Sequence, residues 1–270
     1  MKIIISHDVD HLYWSDHLKD LIYPKLWVRE SLSFLKRSIT GKEYFLRLSS
    51  TFSVKRHHIE EVIEIDTRFG VPSTFFFGMA NGLGMSYSKS KARPNIEYIM
   101  QAGFSVGVHG IATQKTQDIK NEFNDFAKIS GLNSFGIRTH YVRYDANTFQ
   151  KFADIGYVFD TSEFDKKEGY LIKAPYKVGN RLWEFPLTIM EGYLPYQFEE
   201  AKIKTISIFE EAIQTKLDYL TILFHDYFYF EGHIERQKWY RWLLEYCEQQ
   251  SYEFINYYQA IAELENKGDR

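Results

Sequence analysis

Two kinds of hydrophobic pattern alternate along the chain. Short runs of apolar, β-branched and aromatic residues are typical of strands that are buried on both faces of a parallel sheet. Such runs predict strands at residues 2–6, 72–78, 104–109, 135–141, 157–161, 182–187, 219–225 and 252–255. Between these runs, apolar residues recur every three or four positions among charged ones, as Ile59, Val62 and Ile63 do, and this pattern predicts helices.

The alternation of strands and helices indicates an α/β fold, because strands separated by helices form βαβ units and a parallel sheet. Repeated along 270 residues, the pattern predicts a distorted or incomplete (β/α) barrel of seven to eight parallel strands. A doubly wound open sheet is the alternative. Residues 13–50 are rich in Leu, Trp, Phe and Tyr and predict a helical insertion after the first strand. Because no Pro/Gly/Ser-rich linker divides the chain, we expect one domain over residues 1–270.

Charge and composition exclude several classes of protein. The chain has 33 Lys and Arg against 36 Asp and Glu, a formal charge of −3, so a nucleic-acid binder that relies on a basic field is not expected. The single cysteine, Cys247, allows no disulfide within the chain and no cysteine zinc cluster, which is typical of a reducing compartment.

Neither a secretory signal nor a membrane span is predicted. The first apolar run has three residues, whereas a signal needs about 7–15 apolar residues and a span about 18. We therefore expect a cytoplasmic protein without a transmembrane segment. Peripheral association with membrane-bound machinery stays open.

Polar residues follow five of the predicted strands, at the edge where parallel βα folds carry their active sites. They are His7, Asp8, Asp10 and His11; His109; Arg138, His140 and Arg143; Asp160; and His225 and Asp226. Any one of them alone is typical of a helix cap or a turn. Five such groups at one edge predict a shared polar site.

The first group suggests the chemistry of that site. On an extended strand, Asp8 and Asp10 point to the same side, and two adjacent carboxylates resist joint ionisation unless a cation is present. A divalent metal bound by one carboxylate, with the other as a general base for water, resolves this conflict. His109 is a candidate ligand, and a mixed His/Asp set suits zinc or a similar ion.

Residues from later strands complete the candidate site. His225 is a candidate general acid, with a carboxylate such as Asp160 orienting its ring. Arg138 would keep the base carboxylate ionised or bind an anionic substrate. Together these residues indicate metal-assisted hydrolysis.

Five motifs in this order resemble the polysaccharide deacetylases with a NodB homology domain, which form carbohydrate esterase family 4. The motifs are DVD at 8–10, HG at 109–110, GIRTHYVRYD at 136–145, FDTS at 159–162 and LFHD at 223–226. Each is weak alone, but together they extend over most of the chain. The RxHYxRxD stretch resembles a branch of deacetylase-like proteins found in surface-polysaccharide gene clusters.

The resemblance implies metal-dependent hydrolysis of an N-acetyl, or sometimes O-acetyl, group on a sugar or oligosaccharide in O-antigen or capsule biosynthesis. In this scheme Asp8 is the catalytic base and His225 the acid. The remaining roles are metal ligation by Asp10 and His109, support of the base by Arg138 and orientation of the acid by Asp160.

One position departs from the family pattern, because Thr113 stands where the metal motif has its second histidine. Threonine is a poor zinc ligand, so another donor is needed. We expect His140 to replace it ahead of His11, since His140 alternates with Arg138 along its strand. The alternatives are water in the gap, or a non-catalytic carbohydrate-binding protein that has lost the metal. Hydrolysis of another C–N bond, such as a cyclic amide, also fits the residues.

Overall fold

The computed structural model of the protein describes residues 1–18 and 22–268. In this part of the chain the strands are β1 (Lys2–Val9), β2 (Thr74–Gly78), β3 (Ser105–Gly110), β4 (Ile137–Thr139), β5 (Phe159–Asp160), β6 (Tyr176–Val178), β7 (Leu182–Glu184), β8 (Ile189–Met190), β9 (Tyr219–Leu223) and β10 (Glu253–Phe254). The helices are α1 (Ile22–Leu35), α2 (Gly41–Ser50), α3 (Ile59–Arg68), α4 (Lys89–Gln101), α5 (Thr116–Ser130), α6 (Thr148–Ile155), α7 (Phe198–Gln214), α8 (Ile234–Gln249) and α9 (Tyr257–Gly268).

The ten strands form one sheet that curls towards a barrel. Its order is β6-β7-β5-β4-β3-β2-β1-β9-β8, with β10 paired to the start of β1, and among the described strands only β6 and β7 pair antiparallel. Strands β7 and β8 lie near opposite ends of this order, yet four residues separate them in the chain. Because that link spans less than about 20 Å, the two ends of the sheet lie close together. This curled, mostly parallel sheet agrees with the predicted distorted barrel.

Side chains of β1 alternate between two environments, as strand geometry requires. Ile3 and Ile5 pack in the main core between the sheet and its helices. Ile4 points the other way, into a second cluster inside the barrel. Ser6 and Asp8 share the direction of Ile4, so the inner face of β1 changes from apolar to acidic along the strand.

An aromatic layer closes the lower part of the barrel interior. Phe76, Phe159 and Tyr257 are fully buried there, and the Phe159 and Tyr257 rings stack with their centroids 4.3 Å apart. The Arg138 guanidinium lies 4.6 Å from the centre of the Phe76 ring, which makes this layer the floor of the polar region above it. The apolar floor excludes water from below and strengthens the electrostatic interactions over it.

All eight predicted strands have counterparts in the sheet, with ends that differ by a few residues. The sheet has ten strands rather than seven to eight, because the sequence did not reveal β6 and β8. These strands have three and two residues, too few for a periodic pattern. No helix in the described residues is both long and apolar enough to cross a membrane.

The segment between β1 and β2 contains α1, α2 and α3. The helical insertion predicted for residues 13–50 includes residues 19–21, which lie outside the described residues. Helix α2 begins at a capping box, in which the Thr40 hydroxyl accepts a hydrogen bond from the Glu43 amide while the Glu43 carboxylate accepts one from the Thr40 amide. Helices α1 and α2 both bury charged side chains: Glu30 in α1, and Glu43 and Arg47 in α2.

Two buried carboxyl groups face each other where β5 pairs with β7. Asp160 is the register partner of Glu184, and both side chains are fully buried. Among the described residues, no donor forms a hydrogen bond with Asp160 Oδ2 or Glu184 Oε2. A proton shared between the two carboxyl groups would supply this hydrogen bond. Burial, together with the Asp160 charge, raises the pKa of Glu184 well above its ordinary value, and burial raises the pKa of Asp160 to about 6.

This pair predicts how stability depends on pH. The folded protein keeps these carboxyl groups protonated at pH values at which the unfolded chain has released the protons. The free energy of unfolding should therefore fall as the pH rises above about 4 and through the Asp160 pKa of about 6. Glu184→Gln keeps a hydrogen-bond donor beside Asp160 without the second acid. We expect this variant to reduce the fall by on the order of 1 to 3 kcal/mol, measured by urea unfolding across that pH range.

Glu245→Gln serves as the control, because Glu245 is an exposed acid on α8. It should reproduce the pH dependence of the wild-type protein. An equal fall in the Glu184→Gln variant would contradict the shared proton.

Candidate metal and catalytic site

The barrel mouth contains a cavity of about 400 Å³. Asp8 and Asp10 reach it from the end of β1, His109 from β3, and His225 from the residues after β9. Its wall also contains His140, Glu191 and Lys166, together with the rings of Tyr141, Tyr193, Tyr227 and Phe228. The ends of β1, β3 and β9 therefore bring together residues that are far apart in the chain.

Three possible ligand atoms meet on one side of the cavity. Asp10 Oδ1 lies 3.3 Å from His109 Nε2 and 3.4 Å from His140 Nδ1, and the two ring nitrogens are 2.9 Å apart. One donor atom from each residue lies within 4.8 Å of the others. Two imidazoles and a carboxylate are a typical donor set for zinc and similar divalent ions.

The hydrogen bonds of the two rings fix which nitrogens are free. His109 Nδ1 donates to the backbone carbonyl of Arg138, 3.1 Å away, and His140 Nε2 donates to the carbonyl of Leu83, 3.2 Å away. In their neutral forms, His109 Nε2 and His140 Nδ1 therefore point lone pairs at each other. This arrangement is unfavourable unless a cation or a further proton lies between them.

The charge of the cluster also fits a cation. Asp10 Oδ1 is buried with no hydrogen-bond partner among the described residues. Burial alone would raise the pKa of Asp10, but the His109 and His140 rings outweigh burial and hold the pKa well below its ordinary value. For His109, burial is outweighed by the Asp8 and Asp10 carboxylates, which raise its pKa. The residues present thus fit a divalent metal.

Of the two histidines predicted as a third ligand, His140 lies in this cluster and His11 does not. The His11 ring forms a hydrogen bond of 2.8 Å with His17 instead. Thr113 lines a separate groove beside the barrel mouth, where its carbonyl accepts a hydrogen bond from the Thr148 hydroxyl. Thr113, where the resemblance predicts a second histidine, therefore lies outside the cavity.

Asp8 is held by a buried ion pair. Its Oδ1 lies 2.9 Å from Nη1 of Arg138, whose side chain is fully buried. Arg138 also donates to the Ser6 hydroxyl at 2.6 Å and to the Thr161 carbonyl at 3.2 Å. Burial works against the guanidinium charge, but Asp8 outweighs it and raises the Arg138 pKa further. The second oxygen of Asp8 stays on the cavity side, 3.7 Å from His109 Nε2.

His225 lies across the cavity from this pair and is oriented by Glu191. Its Nδ1 is 2.7 Å from Glu191 Oε1, and its Nε2 is 3.7 Å from Asp10 Oδ2. Burial would lower the pKa of His225, but the carboxylates of Glu191 and Asp10 outweigh it and raise the pKa to about 10. The ring is therefore protonated at neutral pH, with one N–H on Glu191 and the other facing the cavity.

The prediction that Asp160 orients His225 is wrong. Asp160 accepts a hydrogen bond from the Ser162 hydroxyl at 2.6 Å and faces Glu184 within the sheet, so Glu191 takes the predicted place beside the ring. Glu191 could not be predicted from the sequence, because it follows β8, a two-residue strand without a recognisable pattern. The one sequence feature that points to Glu191 is its place directly after the apolar pair Ile189–Met190.

Two further strand-end residues lie outside the cavity. His7 points to the outer face of β1, where its ring is held between Asp66, at 3.0 Å, and the Phe224 carbonyl, at 2.8 Å. Asp226 accepts a hydrogen bond of 2.8 Å from the His58 amide. Both are fully buried, and the alternation of strand residues explains why His7 and Asp8 face opposite ways.

The backbone after His140 is strained. Tyr141 and Val142 have φ values of +59° and +43°, in the left-handed region that β-branched residues rarely adopt. The Tyr141 hydroxyl donates to the Leu83 carbonyl at 3.0 Å, so the carbonyl that fixes His140 also anchors the next residue. Strain of this kind is concentrated at functional sites.

Comparisons by sequence and by structure gave different results. No model of a protein family matched this chain, and a search of curated proteins gave no match. A provisionally assigned polysaccharide deacetylase involved in O-antigen biosynthesis, from Bordetella bronchiseptica, gave a TM-score of 0.42 at 12% identity, covering 83% of this chain and 71% of that chain. A mutant of a CE4 family pseudoenzyme with restored enzymatic activity gave 0.45 at 10% identity, covering 96% and 66%. Both scores are too low to indicate a shared fold.

A third structure is more similar. The crystal structure of a provisionally assigned polysaccharide deacetylase from Mycobacterium smegmatis superposes with a TM-score of 0.66 at 15% identity. The match covers 99% of this chain and 91% of that chain. At this identity the likeness shows that the two chains share a fold.

Proposed function

We propose that the protein is a metal-dependent hydrolase that removes an acetyl group from a sugar. The observation that carries this proposal is the meeting of three possible ligand atoms, on Asp10, His109 and His140, in a cavity that also contains the ion-paired Asp8 and the Glu191-bound His225. A base, an acid and a cation site around one cavity are the parts that amide or ester hydrolysis requires. The fold shared with the Mycobacterium smegmatis protein supports the same reading.

Asp10, His109 and His140 would hold the metal, for which zinc is the best match to the donor set. When bound, a divalent ion polarises the acetyl carbonyl and makes water easier to deprotonate. The Arg138 and Leu83 carbonyls keep both rings in the tautomers that leave ligand nitrogens free. Such outer hydrogen bonds orient the ligands and increase their basicity.

Asp8 and His225 would move the protons. One carboxylate oxygen of Asp8 is ion-paired with Arg138. The other oxygen would accept a proton from the attacking water. His225 would donate its Nε2 proton to the departing nitrogen or oxygen of the sugar, while Glu191 keeps the opposite N–H fixed. Hydrogen bonding to buried partners holds both groups in place before substrate binds.

The cavity suits a sugar bearing an acetyl group. Rings of Tyr141, Tyr193, Tyr227 and Phe228 line it and supply flat apolar surfaces beside polar groups. We propose an acetylated sugar or oligosaccharide of a surface polysaccharide as the substrate. We also propose that the chain forms one domain and is located in the cytoplasm. The alternative is a non-catalytic carbohydrate-binding protein, which the two experiments below distinguish.

Zinc titration tests the proposed metal ligands. Protein freed of metal and then titrated with zinc should bind one ion per chain, and His140→Gln should weaken binding at least about tenfold because a ligand nitrogen is lost. Isothermal titration calorimetry measures both affinities. His11→Gln is the matched control, since His11 is close to the site in sequence but bonded to His17. Loss of binding in His11→Gln with full binding in His140→Gln would reverse the ligand assignment.

Acetate release tests the proposed role of Asp8 as the base. In zinc-loaded protein, Asp8→Asn should bind zinc as the wild type does, while acetate release from acetylated sugars falls by about 100-fold or more, because the amide cannot accept the water proton. The substrates are a panel of N- and O-acetylated sugars and their oligosaccharides, with acetate measured enzymatically.

Asp226→Asn is the control for this experiment. Burial raises the pKa of Asp226 to about 8, so asparagine resembles its neutral form, and its side chain does not line the cavity. It should retain acetate release. If zinc-loaded wild-type protein binds acetylated sugars but releases no acetate from any of them, the non-catalytic alternative is correct.

A further inference from the structure

Helices α1 and α2 face the rest of the protein with charged residues rather than with an apolar stripe. In α1 the buried residues are Tyr23 and Glu30, and in α2 they are Glu43 and Arg47. A helix that packs on a protein core normally buries its apolar stripe and exposes its charges. These two helices bury charges and expose apolar side chains.

The inner side of this helix pair is a network of ions and hydrogen bonds. Arg47 Nη1 lies 2.7 Å from Glu30, its Nη2 lies 3.4 Å from Glu43, and its Nε donates to the Gly232 carbonyl at 2.6 Å. Arg47 thus joins both helices to the loop before α8. Because these polar contacts fix the pair to the barrel, its apolar residues are left on the outside.

The outer side is apolar and exposed. Val28, Leu32 and Leu35 follow one another at spacings of four and three, which places them on one face of α1. Leu35 is 75% exposed, and Phe45 of α2 is 69% exposed. Six of the seventeen large apolar or aromatic side chains that are exposed in the described residues lie in these two helices: Trp27, Val28, Leu32, Phe34, Leu35 and Phe45.

The same helices carry a positive charge. Residues 22–50 contain six Lys or Arg and two Glu, a formal charge of +4, whereas the whole chain carries −3. Lys25, Lys36 and Arg37 are exposed and form no ion pair among the described residues. The positive charge is therefore concentrated beside the exposed apolar side chains.

We propose that the outer face of α1 and α2 is a docking surface for a lipid bilayer that contains anionic lipids. Apolar and aromatic side chains next to lysines and arginines are the pattern of helices that lie in the membrane interface. Helix α1 has 14 residues and is about 21 Å long, too short to span the roughly 30 Å hydrocarbon core, so it lies along the surface. A second copy of the chain fits less well, because the exposed cations Lys25, Lys36 and Arg37 of two copies would repel each other.

The helix pair that carries this face also borders the barrel mouth. A second cavity, of about 350 Å³, lies between the helix pair and the barrel and is lined by Arg29, Arg47 and Arg56. Tyr227 lines both this cavity and the catalytic one. The docking itself does not depend on the proposed hydrolysis, but it would suit a sugar substrate carried by a membrane lipid.

Sedimentation with vesicles tests the proposal. The full-length protein should pellet with vesicles of phosphatidylcholine and phosphatidylglycerol, and less with phosphatidylcholine alone. The double variant Val28→Asp/Leu35→Asp should bind the mixed vesicles at least about tenfold more weakly, because it places two charges in the apolar face. Lys36→Glu/Arg37→Glu should also weaken binding, by a loss that disappears at high salt.

Ile203→Asp provides the matched control, since Ile203 is 67% exposed on α7, outside the docking face. It should bind the vesicles as the wild type does, and circular dichroism should show all variants folded. The proposal is overturned if the wild type does not pellet with anionic vesicles, or if Ile203→Asp loses as much binding. It is also overturned if the wild type is a dimer that Val28→Asp/Leu35→Asp disperses, which would show that a second copy covers the face.

Discussion

Two backbone carbonyls determine which nitrogens of His109 and His140 face the cavity at the barrel mouth. The Arg138 and Leu83 oxygens each accept the only proton of a neutral imidazole, so the opposite nitrogens of His109 and His140 meet as lone pairs beside the buried Asp10 carboxylate. A cluster of three acceptors is costly in a low-dielectric interior unless a positive charge joins it. The proposed metal site, and the chemistry proposed around it, depend on these two hydrogen bonds.

The barrel interior supports this arrangement in layers. At the bottom, the Phe159 and Tyr257 rings exclude water, and above them Arg138 lies against the Phe76 ring and pairs with Asp8. The ligand atoms come next, nearest the mouth. Because residues of β1 alternate in direction, one strand contributes to the apolar floor, the Arg138 contacts and the acidic layer in turn. The charge pattern of the site thus follows from the spacing of a single strand.

Sequence patterns predicted the parts of the site that depend on regular geometry. Long apolar strands end at one edge of a parallel sheet, so Asp8, His109 and His225 could be grouped from the sequence. The orienting partner of His225 could not, because Glu191 follows a two-residue strand whose position depends on long-range packing. The apolar residues of α1 were also ambiguous. Their spacing marks one helix face, but only the buried Glu30–Arg47 pair reveals that this face points outwards.

Anomalous diffraction at the zinc absorption edge, from crystals grown with zinc, tests the metal site most directly. A single strong peak is expected about 2.0 to 2.2 Å from His109 Nε2, His140 Nδ1 and a carboxylate oxygen of Asp10. A peak beside His11 and His17, or no peak within the barrel mouth at full zinc occupancy elsewhere, would contradict the proposed ligand set.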